Sequence, residues 1–198
     1  MINFINISNQ KPFKRFRELY LSASQHNQKN IEAALISSYD TQKKEVNSRF
    51  VNIKIIDKDN FIFFTNYNST KATEFSSHDQ ISATFFWPKI NIQIRIKAKI
   101  KKTSKSFNDK YFFSRSPEKN ALAISSMQSK EIASFSRVKE NYLMIKNKKD
   151  LLKCPEYWGG YSFLPYEIEF WEGHKFRLNK RDIYKKDKTS WNHSILEP

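Results

Sequence analysis

Glycine is nearly missing: the 198 residues hold three, Gly159, Gly160 and Gly173. A dinucleotide-binding fingerprint or a P-loop needs several glycines at fixed spacing, so both are excluded. Any phosphate must be held mainly by Arg, Lys and hydroxyl side chains. A lone cysteine, Cys154, rules out an intrachain disulfide and makes a reducing cytoplasm the expected location. Cys154 and the four histidines (His26, His78, His174, His193) have no metal-ligand spacing, so no metal site is expected. No apolar run is long enough to cross a membrane, and the N-terminus lacks the apolar core of a signal peptide. Acidic residues are outnumbered, 20 against 35 Lys and Arg, for a formal charge of +15. Such an excess invites a nucleic-acid reading. Here lysine is dispersed through many segments beside abundant Asn and Ile, as AT-rich coding bias would leave it, and the charge is weak evidence for that partner.

At 198 residues the chain fits one domain, 1–198, with enough length to bury a core. Over residues 12–25, Phe13, Phe16, Leu19 and Tyr20 share one helical face opposite Lys and Arg, which predicts an amphipathic helix packed on something larger. Short β segments are expected at 33–39, 46–56 and 61–67, a helix at 69–77 and a strand at 80–87. The clearest strand is 90–100. There Ile90, Ile92, Ile94, Ile96, Ala98 and Ile100 lie on one face, and Gln93, Arg95, Lys97, Lys99 and Lys101 on the other. Helices are expected at 108–115, 117–124 and 130–146, the last with Ile132, Phe135, Val138 and Tyr142 as its apolar stripe. A hairpin turning at Gly173 and a strand at 191–196 close the chain. Short antiparallel strands with peripheral helices read as an α+β class built on a small β-barrel.

One stretch organises the rest: Glu169-Phe170-Trp171-Glu172-Gly173, then Arg177-Leu178-Asn179-Lys180-Arg181. A strand ends in Trp171, turns, and returns through two arginines separated by three residues. An aromatic plane beside two guanidinium forks suits a flat anionic ligand, though a hairpin with a solvated basic edge has the same pattern.

These residues, with Trp158-Gly159-Gly160 before them, resemble the C-terminal signature of the pyridoxamine 5′-phosphate oxidases. Further motifs follow the same family in order: Arg49 and Lys54 five apart, Phe64-Thr65-Asn66, Ser69-Thr70-Lys71, Gln93 and Gln128-Ser129. The resemblance spans about 12–198. It implies a split β-barrel of Greek-key form with peripheral helices, a homodimer, and FMN in clefts formed by both subunits. By position the cofactor set is Arg49, Lys54, Phe64, Thr65, Thr70, Lys71, Gln93, Gln128, Ser129, Trp171 and Arg181, with Thr70 replacing an arginine. In the family one subunit supplies the Arg49, Thr65 and Lys71 positions, and the partner subunit supplies those of Gln93, Trp171 and Arg181. The substrate set is Lys54, Tyr111, Arg115, Lys119, Arg177 and Asn179, of which Arg177 and Asn179 form the catalytic lid pair. Lys119 stands in place of a serine and Asn179 in place of a histidine, and no arginine-rich arm precedes Pro12.

The activity implied is FMN-dependent oxidation of pyridoxamine or pyridoxine 5′-phosphate to pyridoxal 5′-phosphate, with oxygen as acceptor and hydrogen peroxide released. Two alternatives are a diverged FMN-binding paralogue with another substrate and a basic nucleic-acid-binding barrel. The second would present ordered aromatics on a strand surface and bind no flavin.

Overall fold

The computed structural model describes residues 1–147 and 150–198. Ten strands join one sheet. In chain order the elements are β1 (Asn3–Ile5), α1 (Lys11–Gln25), β2 (Ala33–Asp40), β3 (Glu45–Asn52), β4 (Ile55–Asp57), β5 (Asn60–Asn66), α2 (Thr70–Ser77), β6 (Gln80–Trp87), β7 (Ile92–Lys102), α3 (Lys105–Phe113), α4 (Pro117–Ser125), α5 (Phe135–Lys146), β8 (Trp158–Glu172), β9 (Lys180–Asp187) and β10 (Ser190–Leu196). The sheet runs β1-β4-β5-β8-β7-β6-β2-β3, with β9 on β8 and β10 on β9. Every pairing is antiparallel except β1 on β4. The class is α+β, and the sheet is not closed. No helix among the described residues is long and apolar enough to cross a membrane.

The alternation read in the sequence is the alternation of burial. Ile92, Ile94, Ile96, Ala98 and Ile100 are buried, while the charged residues between them face out. On that inner face α1 lays Phe13, Phe16 and Tyr20. The Phe16 ring meets Phe61 and Phe85 edge-on, each at 5.1 Å. Burying an aromatic of this size contributes about 1.5–3 kcal/mol, so the helix is held by its apolar stripe and not by caps.

β8 is the spine, and its halves have different neighbours. Residues 158–163 pair with β5 and residues 167–172 with β9, while β7 runs along the other edge. The change-over is a bulge: Lys97 pairs with Glu167 but Ala98 pairs with Pro165, which leaves Tyr166 unopposed. Proline cannot donate to a ladder, and a bulge is where it fits.

Four expectations change. The strand expected at 46–56 is two strands, because the chain changes partners. Ile53 N donates to Glu32 O, while Lys54 N donates to Ile62 O and Lys54 O accepts from Asn3 N. The strand of clear alternation expected from residue 90 begins at Ile92, after a short 3-10 turn over Pro88–Ile90. The helix expected at 108–115 starts at Lys105, where Ser104 caps Phe107 N at 3.3 Å, and ends at Phe113. The helix expected from 130 starts at Phe135, capped by Ser134, and its stripe is not core: Phe135 is 72% exposed and Ile132, 50% exposed, precedes the helix.

Candidate active site

Two of the glycines build the floor. A Cβ on Gly159 would lie 2.2 Å from the Tyr67 hydroxyl and 2.4 Å from Asn108 Nδ2, and one on Gly160 would lie 2.6 Å from Thr103 Oγ1. Bare backbone there lets α3 come down onto β8. Gly160 N donates to Asn108 Oδ1 at 2.9 Å, Asn108 Nδ2 donates to Tyr67 Oη at 3.0 Å, and Tyr67 Oη donates to Gly160 O at 3.1 Å. The ring of bonds fixes the start of α3, and with it the direction of Tyr111 and Arg115 near its end.

Tyr111 and Arg115 look into a cleft of about 590 Å³. Its lining includes Lys54, Phe64, Thr65, Lys71, Tyr111, Arg115, Lys119 and Gln128, eight of the residues selected from the sequence, together with Val51, Asn52 and Trp158. The Tyr111 ring stacks on Phe64 at 3.7 Å and 3°, and Phe64 lies parallel to Trp158 at 5.2 Å. Arg115 sits over Trp158 at 4.5 Å and donates through Nη2 to Lys119 O at 3.0 Å. Its Nη1 is buried with no partner. Burial lowers the Arg115 pKa and raises that of Tyr111. An arginine stays protonated regardless.

Lys71, 7% exposed, donates to Thr65 Oγ1 at 3.2 Å and Ser69 Oγ at 3.3 Å. Burial, then the charge of Arg49, push its ammonium down to about 8 against the pull of Glu74. Thr65 Oγ1 in turn donates to Gln128 Oε1 at 3.0 Å, which also accepts from Asn66 N at 3.2 Å. Lys54 lies 3.5 Å from Glu32.

Other selected residues lie outside this cleft. Arg49 turns behind it onto Glu74, a buried carboxylate that also accepts from Ser38 and from Asn47 Nδ2; Arg49 Nη2 reaches it at 3.0 Å. Thr70 is exposed in the first turn of α2. Ser129, at φ 70°, follows Gln128 along a groove between α4 and α5. Gln93, Trp171 and Arg181 form one row across β7, β8 and β9. Arg181 Nε is paired with Glu169 Oε1 at 2.9 Å, and Arg95 pairs with the same carboxylate. Burial pushes Glu169 up, but the bonds from Arg181 and Arg95 outweigh it and hold the carboxyl below its ordinary range. Arg177 and Asn179 stand in the loop joining β8 to β9. The residues selected from the sequence therefore fall mainly into two groups on one chain: those of a basic cleft, and a Gln–Trp–Arg row that does not line it. Trp158 and Glu74 were not among the residues selected. The paired glycines beside Trp158 were the available signal; nothing in the sequence marks Glu74.

The donors fit anionic ligands. Among the described residues, a nearly buried ammonium donates to two hydroxyls, a buried guanidinium nitrogen has no partner, and no carboxylate lines the cleft. Residues 25–145 match the model of the family described as pyridoxamine 5′-phosphate oxidase, and residues 158–198 match the pyridoxine 5′-phosphate oxidase C-terminal dimerisation region. The chain belongs to the pyridoxamine 5′-phosphate oxidase family. Among curated relatives, the pyridoxine/pyridoxamine 5′-phosphate oxidase of Legionella pneumophila is 36% identical over 174 residues, covering 87% of this chain and 81% of the relative. That of Coxiella burnetii is 33% identical over 188 residues, covering 94% and 95%. Among solved structures, PhzG from Burkholderia lata in complex with tetrahydrophenazine-1-carboxylic acid superposes with TM-score 0.89 at 25% identity, covering 96% of this chain and 93% of its own. A pyridoxamine 5′-phosphate oxidase-related, FMN binding protein from Nostoc punctiforme shares the fold, with TM-score 0.79 at 11% identity over 96% of this chain and 99% of its own. In this pyridoxamine 5′-phosphate oxidase family member the Gln–Trp–Arg row falls inside the dimerisation region except for Gln93, which pairs against it.

Proposed function

We propose that this protein is a homodimeric, FMN-dependent oxidase of pyridoxamine or pyridoxine 5′-phosphate, built on a split barrel, that yields pyridoxal 5′-phosphate and hydrogen peroxide. The observation that carries the reading is the single cleft in which Lys54, Lys71, Tyr111, Arg115 and Lys119 converge. The hydride acceptance from substrate and the return of electrons to oxygen would be supplied by bound FMN. Lys71 and Thr65 would hold its phosphate, with Arg49 behind them. Trp171 and Arg181 of the partner subunit would meet the flavin, and two half-sites on one chain are what a shared site requires. Lys54, Tyr111, Arg115 and Lys119 would anchor the substrate phosphate, so that the reacting carbon is oriented without a search. Arg177 would stabilise charge on the pyridine ring oxygen.

A second reading is favoured by the likeness to PhzG and by Lys119 and Asn179: an FMN-dependent oxidase acting on another anionic ring. The deciding experiment is an absorption spectrum of the purified protein followed by peroxide release on pyridoxamine phosphate. A yellow protein that turns it over supports the first reading. A yellow protein that does not supports the second, and a colourless one that leaves FMN fluorescence unquenched refutes both.

A further inference from the structure

The loop between β8 and β9 hangs on one side chain. At its stem Gly173 N donates to Asn91 O at 3.0 Å, and a Cβ on Gly173 would lie 2.3 Å from Asn91 Nδ2. Beyond the stem, bonds converge on His174. Its carbonyl accepts from Arg177 N at 2.9 Å and its ring Nδ1 accepts from Phe176 N at 3.3 Å. Its own N–H donates to Asn179 Oδ1 at 3.0 Å. Among the described residues this last bond is the one that joins the loop's outgoing end to its returning end. Apolar packing gives no help: Phe176 is 71% and Leu178 70% exposed. Between them Arg177 is held at φ 63°, a left-handed conformation that neighbouring bonds must stabilise in a non-glycine residue.

We infer that Asn179 is a positioning residue: its amide oxygen closes the loop through His174 and so fixes the direction in which Arg177 points. The inference rests on the proposed role of Arg177 at the substrate ring. It differs from the expectation that Asn179 meets that ring itself, because the acceptor atom is already committed to backbone. An oxygen at the δ position serves this purpose, while an alanine there leaves the His174 N–H without its partner.

The test is a double-mutant cycle on the FMN-loaded protein, with trypsin as a readout that needs no turnover. Asn179→Ala should lower kcat/KM for pyridoxamine phosphate roughly five- to tenfold, the scale of one lost hydrogen bond, and leave FMN affinity unchanged. In an Arg177→Ala background the same substitution should cost less than about twofold, since two residues acting as one unit are not additive. Trypsin should cut after Lys175 or Arg177 faster in Asn179→Ala than in wild type, and Asn179→Asp, which keeps the acceptor, should stay protected. An equal loss in both backgrounds would mean that Asn179 touches substrate directly, and overturns the inference; so does unchanged cleavage in Asn179→Ala. If wild type binds FMN yet leaves pyridoxamine phosphate untouched, the substrate assignment falls separately, and the cleavage pattern alone decides whether Asn179 holds the loop.

Discussion

Arg115→Ala separates the two ligands. Arg115 donates one bond to Lys119 O, covers Trp158 at 4.5 Å and leaves Nη1 buried without a partner among the described residues. Replacing it removes a cation–π contact and a neutral-acceptor bond, for a stability loss of about 1–2 kcal/mol. A phosphate in the cleft would lose a charge-assisted bond worth roughly 1.5–3 kcal/mol, which is about 10- to 150-fold in affinity. FMN affinity should stay within about twofold, because the cofactor phosphate is assigned to Lys71 and Thr65. Arg115→Lys should fall between, keeping charge but losing the fork. The assay is KM for pyridoxamine phosphate by peroxide release, beside FMN affinity by fluorescence quenching. Parallel loss of both ligands would assign Arg115 to the cofactor, and an unchanged KM would assign it to neither.

Lys71 makes FMN affinity pH-dependent. Below about pH 8 its ammonium is already charged; above it, binding a phosphate must draw in a proton, so affinity should fall by up to about tenfold per pH unit, and Lys71→Met should flatten the profile. The same depressed pKa has the opposite sign for the ligand-free fold. Between about 8 and 10.5 the unfolded chain holds the proton that the folded one has released, so wild type gains stability on Lys71→Met as pH rises through that window, measurable by urea titration. Gly159→Ala should cost about 1–3 kcal/mol by thermal melting, since its Cβ meets Tyr67 and Asn108 inside van der Waals distance, and should raise KM for substrate by loosening α3. Light scattering should give a dimer, and a stable monomer with full FMN binding would contradict the shared site.

Period-two burial in β7 and the apolar face of α1 could be read directly, because each depends only on residues adjacent along one element. The break at Ile53 and Lys54 could not. It arises where the chain leaves β2 for β5, a long-range exchange that leaves no local mark. The start of α5 was set by the Ser134 cap, which apolar spacing does not register. The cleft draws on β3, β5, α2, α3, α4, β8 and the segment after α4, and only the family resemblance placed the eight selected residues in one site. Once there, the Tyr111–Phe64 stack and the Arg115–Trp158 contact have a physical cause in Gly159 and Gly160, two positions visible in the sequence whose reason was not.

The charge of +15 also divides into parts with different tasks. On the outer face of β7, Arg95 pairs with Glu169, Lys97 with Glu167 at 2.9 Å and Lys99 with Asp79 at 3.3 Å, so this basic stripe is largely neutralised and makes a poor track for a phosphate backbone. Arg49 and Arg181 are likewise tied to Glu74 and Glu169; their carboxylates fix the direction of each fork at the cost of some net charge. Lys71, Arg115 and Lys119 have no carboxylate partner among the described residues, and all three line the cleft. Two of them are at least partly buried, where an unpaired cation is costly unless an anion arrives. Three cations without a carboxylate partner thus converge on one concavity, and the exposed Lys119 adds to its field without adding a fixed geometry.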